Sequence, residues 1–358
     1  MKALVTARMN PADLDRLSNA GFEITTSGYG VTGQKLSESE LMAALSDKDV
    51  AIVEFEPLTE AAISSASHLK LLACCRNEPG ANVDLAFAAQ SGIPVLFTPG
   101  RNAIAVAEYT LALILAVARN IPTTHHLLRY TDELTAQSYS DKSGERSAIT
   151  SEWSLDPGAP FQRFEGVELF GKTLGIIGFG AIGQQIAMRA RAFGLHVIAS
   201  DPFQKDSVFD QSGVEKFEMN EVVAKSDFIT MAAKVTPETT GMFSRETFSL
   251  MKSSAFFINT ARAALVDYEA LYDVLAAGVI AGAALDVYPT EPLPSDSKFR
   301  ALSNIVLSPH LAGSTAEVKN HHSKMVVDDI LNILQGNSVH RVSHPDVLAQ
   351  FLKSGGLS

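Results

Sequence analysis

"LGIIGFGAIG", residues 174–183, decides how the rest of the chain is read. An apolar, β-branched run gives way to Gly178-Phe179-Gly180-Ala181-Ile182-Gly183, which spells G-x-G-x-x-G. Apolar side chains then recur at Ile182, Ile186, Ala190 and Phe193 until Gly194 stops the pattern. A strand, a glycine turn and a helix in that order form the setting in which this spacing holds a dinucleotide's phosphates. The first glycine permits the tight turn, the second lets the pyrophosphate approach the backbone, and the third lets helix pack on strand. In a chain with 24 glycines the spacing alone is a weak signal, and a purely structural turn is the competing reading; the context favours the cofactor site. The next strand, "HVIASD", ends in Asp201, 18 residues beyond Gly183, where a carboxylate binds the adenosine ribose and repels a 2′-phosphate. NAD is therefore expected rather than NADP.

From that turn to residue 308 the chain keeps one cadence. "TLGIIG", "HVIASD", "DFITM", "AFFINT", "GAALDVY" and "NIVLSP" read as strands separated by helical or turn segments, the pattern of a doubly wound nucleotide-binding sheet. A first alternation precedes it, with "KALVTA", "FEITTSG", "VAIVEF", "LKLLACC" and "IPVLFT" as strands, "PADLDRLSNAG" and "SESELMAALSD" as helices. The chain is thus expected to be α/β, with two parallel-sheet domains. Between the alternations, Asn102 is placed to cap a long apolar helix ending at Arg119, in which Glu108 is the one earlier charge. Such a helix is expected to be buried between domains or subunits. A polar stretch with the one tryptophan, Trp153, follows at 131–164, and loops of this length are usually functional or interface arms. A last long helix is expected over 314–335, followed by a short tail.

Composition narrows the partners. A formal charge of −11, from 29 basic and 40 acidic residues, argues against nucleic acid or an anionic membrane as the main partner. Cys74 and Cys75 are adjacent in an apolar run, a poor arrangement for a structural disulfide, and no Cys/His/carboxylate cluster has zinc spacing, so no metal is expected. Only five uncharged residues separate Lys2 from Arg8, and the apolar run 274–285 is too short to span a bilayer. A cytoplasmic location is expected. The adjacent pairs His125-His126 and His321-His322 read as surface or interface residues.

Three later stretches carry charge where a parallel sheet exposes its strand ends: "INTARAALVD" with Arg262, "ALDVYPTEPLP" with Asp286 and Glu291, and "LSPHLAGST" with His310. Each alone is as readily a solvated loop residue; together, after a dinucleotide turn, they fit hydride transfer to a 2-keto acid. Arg262 offers a planar fork for a carboxylate and polarises the neighbouring keto group. His310 is suited to exchanging the proton on that oxygen, with Glu291 orienting the imidazole and favouring its charged form.

At these residues the sequence resembles the D-isomer-specific 2-hydroxyacid dehydrogenases, on their phosphoglycerate-dehydrogenase-like branch. The resemblance runs from "IPVLFTPGRNAIAVAEYTLALILAVAR" through "ELFGKTLGIIGFGAIG", "TPETTGMF" and "MKSSAFFINTARAALVD" to "GAALDVYPTEP" and "SPHLAGST". It implies Arg262, Glu291 and His310 as the catalytic set. It implies that NAD is held by Gly178, Gly180, Ala181, Ile182, Gly183, Asp201, Thr260, Ala261, Asp286 and Gly313, with Asp286 at the carboxamide. It also implies a flavodoxin-like substrate domain, 1–101 completed by 315–358, with the Rossmann domain 102–314 inserted, and a homodimer joined through the long helix and the loop after it.

Substrate identity departs from the phosphoglycerate pattern. Where arginines stand in that branch, this chain has Glu54 and Glu56, and carboxylates beside the substrate would repel a phosphate. Arg76 and Asn77 remain as candidate substrate residues, with a sugar acid or other hydroxylated 2-hydroxy acid as the small-molecule partner. Two other readings share the motifs: an NAD(H)-sensing corepressor-like binding protein, and a formate- or phosphite-type dehydrogenase.

Overall fold

The computed structural model describes residues 1–135 and 160–357. Most of the polar stretch expected over 131–164, with Trp153, lies outside the described residues. The chain divides into two compact units, Met1–Asn102 with Ser314–Ser358, and Ala103–Gly313.

Five short strands, β1 (Lys2–Val5), β2 (Glu23–Thr26), β3 (Val50–Val53), β4 (Leu71–Cys74) and β5 (Val95–Phe97), build the sheet of the first unit. They pair in parallel in the order β2-β1-β3-β4-β5, the flavodoxin-like arrangement. A parallel sheet is covered on both faces, and β3 and β4 accordingly have no exposed residue. Because side chains alternate along a strand, Val50, Ile52, Leu71 and Ala73 enter one core and Ala51, Val53, Leu72 and Cys74 the other. The first core is closed by Val326, Val327, Ile330 and Ile333 of the helix Val318–Leu334, which brings the late part of the chain back onto the early sheet. A further helix, Pro345–Lys353, stands where a plain tail was expected. Burial pushes the thiol of Cys74 up to about 12 and also raises that of Cys75, so neither is a reactive thiolate.

In the second unit seven strands, β6 (Thr173–Ile177), β7 (His196–Ser200), β8 (Glu215–Lys216), β9 (Phe228–Met231), β10 (Phe256–Asn259), β11 (Gly282–Leu285) and β12 (Ile305–Leu307), form a second parallel sheet. Its order, β12-β11-β10-β9-β6-β7-β8, is the Rossmann order extended by one strand. The sequence pattern missed β8, two residues long and fully exposed. The long helix, Ala103–Ala118, was expected to be buried between domains or subunits. It packs Ala107, Leu111, Leu113, Ile114, Val117 and Ala118 into its own unit's core, beside Ile186 and Ala190 of the helix Ala181–Ala192. Among the described residues no single helix is long and apolar enough to cross a membrane.

Candidate active site

The glycine turn follows β6. Gly178 has φ +95°, and a Cβ there would lie 2.5 Å from the Ala233 nitrogen, so only glycine fits both the turn and the neighbouring backbone. A Cβ at Gly183 would lie 2.5 Å from the Gly178 carbonyl oxygen, which is the close approach of helix to strand. Gly180 differs from both: a Cβ there meets nothing within 4 Å, so the space over the turn is open. It also caps the helix Ala181–Ala192 with no side-chain hydrogen bond, leaving the first N–H groups of a 12-residue helix for an anion. Ala181 is exposed and Ile182 partly so at that end. Asp201 closes the turn from β7: its Oδ2 accepts the Phe179 N–H at 2.8 Å and its Oδ1 the Phe203 N–H at 3.0 Å. Its carboxylate is held ready for hydroxyl donors, and the arrangement fits a dinucleotide with an unphosphorylated ribose.

Arg262 stands on the loop after β10, and that loop is stapled by its neighbours. The fully buried Asn259 accepts the Ala261 N–H at 3.0 Å and donates to the Arg262 carbonyl at 3.1 Å. Thr110 of the long helix gives its proton to the Val106 carbonyl, so at 2.8 Å the hydroxyl of Thr260 donates to Thr110. The Arg262 side chain itself is exposed; its Nη1 donates to the Ala261 carbonyl at 2.7 Å, which leaves the rest of the fork for a ligand.

His310 and Glu291, on different loops, meet at 2.6 Å between Nδ1 and Oε2. Both are partly open to solvent, with side-chain exposures of 43% and 35%, and the other ring nitrogen of His310 points to no acceptor among the described residues. Partial burial alone would raise the pKa of Glu291. The hydrogen bond with His310, the Tyr288 N–H and the charges of His310 and Arg262 outweigh it, and the net direction is down. Glu291 is thus the carboxylate partner, and Arg262 is near enough to act on it. His310 has φ +58°, the left-handed region that a non-glycine residue enters at roughly 1 kcal/mol.

Asp286 was expected at the cofactor's carboxamide. It is fully buried, and its oxygens accept the Ser308 hydroxyl at 2.6 Å and the Leu311 and Ala312 N–H groups at 2.9 and 2.8 Å. Its bonds hold the turn that carries His310. Gly313 ends the same turn.

In the first unit both glutamates singled out in the sequence are buried. Glu56 is fully buried, accepting the Thr6 hydroxyl at 2.7 Å and the Tyr29 N–H at 2.9 Å. Glu54 is buried against Arg101 at 2.7 Å, its Oε2 without a partner. Glu54 is paired with the charge of Arg101, whereas the Glu56 oxygens are bonded only by the uncharged Thr6 hydroxyl and Tyr29 N–H. The Asn77 amide is engaged with Asn102 and the Gly100 N–H. Arg76 lies over the Phe55 ring at 5.2 Å, and Arg8, which sequence reasoning passed over, lies over Tyr29 at 4.8 Å. His322, read as a surface or interface residue, is 1% exposed; burial lowers its pKa, and its ring bridges Arg101 and the Arg8 carbonyl. His125 and His126 are exposed.

A Rossmann sheet with this glycine turn, its uncapped helix and an acid after the second strand defines an NAD-binding protein. The family profile described as "D-isomer specific 2-hydroxyacid dehydrogenase, NAD binding domain" matches residues 111–312. The chain is 37% identical over 310 residues to a D-3-phosphoglycerate dehydrogenase of Methanocaldococcus jannaschii, covering 86% of this chain and 54% of that one. It therefore spans about half the length of that relative. It is 36% identical over 326 residues to the Bacillus subtilis protein YoaD, covering 90% of this chain and 88% of that one. Among solved structures, the TT0316 protein of Thermus thermophilus superposes with a TM-score of 0.71 at 30% identity, over 96% of this chain and 100% of that one. The chain belongs to the D-isomer specific 2-hydroxyacid dehydrogenases.

Proposed function

We propose that this protein interconverts a D-2-hydroxy acid and its 2-keto acid with NAD as hydride carrier. The observation that carries the reading is the 2.6 Å His310–Glu291 contact, with the far imidazole nitrogen uncommitted and the charge of Arg262 acting on the pair. When bound, NAD supplies the site that accepts or returns the hydride. Arg262 holds the substrate carboxylate in its fork and stabilises negative charge on the reacting oxygen. The free Nε2 of His310 takes the hydroxyl proton in oxidation and returns it in reduction, while Glu291 holds Nδ1–H and the ring's orientation. The turn from Gly178 to Gly183 cradles the pyrophosphate and Asp201 takes the ribose; Thr260, Ala261 and Gly313 complete the nicotinamide side.

We further propose that the first unit is the substrate domain, with Arg76 and Asn77 contacting the rest of a hydroxylated acid. With Glu54 and Glu56 both engaged, phosphorylated and unphosphorylated acids belong in the same test. A cytoplasmic homodimer is the assembly we propose, joined through the long helix and the helix Ile121–Tyr130, whose Ile121, Leu128 and Tyr130 are exposed.

The test is oxidation of NADH with a panel of two- to six-carbon 2-keto acids, with and without phosphate. Turnover lost in His310→Ala with NADH binding retained supports the reading. Tight NADH binding without turnover of any acid would replace it with a sensor, and turnover of formate or phosphite alone would replace the substrate class. Sedimentation analysis showing a monomer at micromolar concentration would remove the dimer.

A further inference from the structure

The two residues of the acid–base pair sit on separate loops, and what joins those loops below the surface is a closed ring of bonds centred on Tyr288. Tyr288 follows β11 and is 5% exposed. Its backbone N–H donates to Glu291 Oε1 at 3.0 Å, while Glu291 Oε2 holds His310. Its phenol oxygen lies 2.9 Å from the carbonyl oxygens of both Leu285 and Ser308, and accepts the Ser308 N–H at 3.1 Å. Ser308 is two residues before His310, and the His310 N–H donates back to the Ser308 carbonyl at 3.2 Å. One residue therefore grips the Glu291 loop with its backbone and the His310 turn with its side chain.

The buried Asp286 completes the frame by accepting from Ser308, Leu311 and Ala312, the residues that flank His310. These bonds hold His310 in its left-handed conformation, an arrangement that persists only where the surroundings over-determine it. The hydroxyl of Tyr288 is what a merely space-filling ring would not need. A phenylalanine has nearly the same shape, but removes the one O–H shared between the Leu285 and Ser308 carbonyls and the oxygen that takes a second bond from the Ser308 N–H.

We infer that Tyr288 is a positioning residue of the His310–Glu291 pair, its hydroxyl and N–H together setting the distance between the loops, with Asp286 as the anchor of the His310 turn. The inference rests on the proposed acid–base role of that pair. Tyr288→Phe is expected to lower kcat roughly tenfold, while the KM of the 2-keto acid and the Kd of NADH stay within about twofold. In the absence of substrate, the far-downfield imidazole N–H resonance of the His310–Glu291 bond is expected to shift or broaden in the variant. Ser308→Ala, which removes one donor from Asp286 and leaves the rings in place, gives the same split at smaller size and covers the case in which Tyr288→Phe does not fold. A resonance and kcat unchanged in the folded variants overturn the inference, as does a kcat loss matched by an equal loss of NADH affinity. If the wild-type protein turns over no acid, the functional reading fails, and the resonance still decides whether Tyr288 positions the pair.

Discussion

The carboxyl edges of the two sheets use glutamate in opposite ways. At the edge of the first sheet Glu56 is sealed, its two oxygens taken by Thr6 and Tyr29, and Glu54 is shut in with Arg101. At the edge of the second, Glu291 keeps a third of its side chain in solvent and shares its charge with a half-exposed histidine. The sealed carboxylate ties loops together and costs dearly if disturbed; the open one contributes little to stability and leaves a ring nitrogen free. What separates the two edges is not how many bonds the carboxylates make but how far they are closed off from solvent, which suits the one to structure and the other to the proposed reaction.

The sharpest test of that contrast is at the open edge. His310→Ala and Arg262→Ala are each expected to cut kcat/KM by roughly 10²-fold or more with melting temperature nearly unchanged, and steady-state kinetics beside calorimetry reads both. Near-normal turnover in either would break the comparison on its functional side. The glycine turn offers a contrast of similar kind within a few residues. Gly178→Ala, at φ +95° against the Ala233 backbone, is expected to destabilise the protein by roughly 2 kcal/mol or more. Gly180→Ala meets no protein atom within 4 Å, so it should leave the melting temperature alone and weaken NADH binding about tenfold. Equal effects of the two on stability would show that the open space is not a ligand's.

On the sealed side, Glu56→Gln turns one acceptor into a donor facing Thr6 or Tyr29 and is expected to cost about 1–3 kcal/mol by denaturant unfolding, with kcat unaffected in the surviving folded protein. The smallest effect concerns pH. Glu291 is held below the usual carboxylate range, so its ionised form adds stability that is fully present above its unfolded pKa, near 4.5, and is lost as pH falls through the lower folded value. The difference in melting temperature between wild type and Glu291→Gln should therefore shrink as pH is lowered through that window, and a difference that grew on acidification would reverse the sign assigned to Glu291.

Much of the fold was legible because it is written locally. Short β-branched runs bounded by helical segments marked eleven of the strands, and the turn from Gly178 to Gly183 announced the sheet that follows it. The two-residue β8 and the helix Pro345–Lys353 carry too little periodic signal to stand out. Within the site, Arg262, Glu291 and His310 were visible as charges at strand ends. The sealing of Glu56 was not, because Thr6 and Tyr29 lie 50 and 27 residues away in sequence. Nor was the burial of Asp286 and His322: a charged or titratable residue reads as surface until the hydrogen-bonding partners that hold it inside are brought up by the fold. Tyr288 and Asn259 looked like ordinary strand-end residues, and only their bonds distinguish them.

The helix Val318–Leu334 has a consequence for the order in which the protein is made. The second unit is one uninterrupted stretch, Ala103–Gly313, and its cores draw on nothing outside that stretch. The first unit is different, since Val326, Val327, Ile330 and Ile333 must be translated before the cover of one face of its sheet is complete. During synthesis the five early strands wait with that face covered only in part, by the helix Pro11–Asn19, while about 200 residues emerge, so the inserted unit is free to fold first and the earliest-made sheet is the last to be finished.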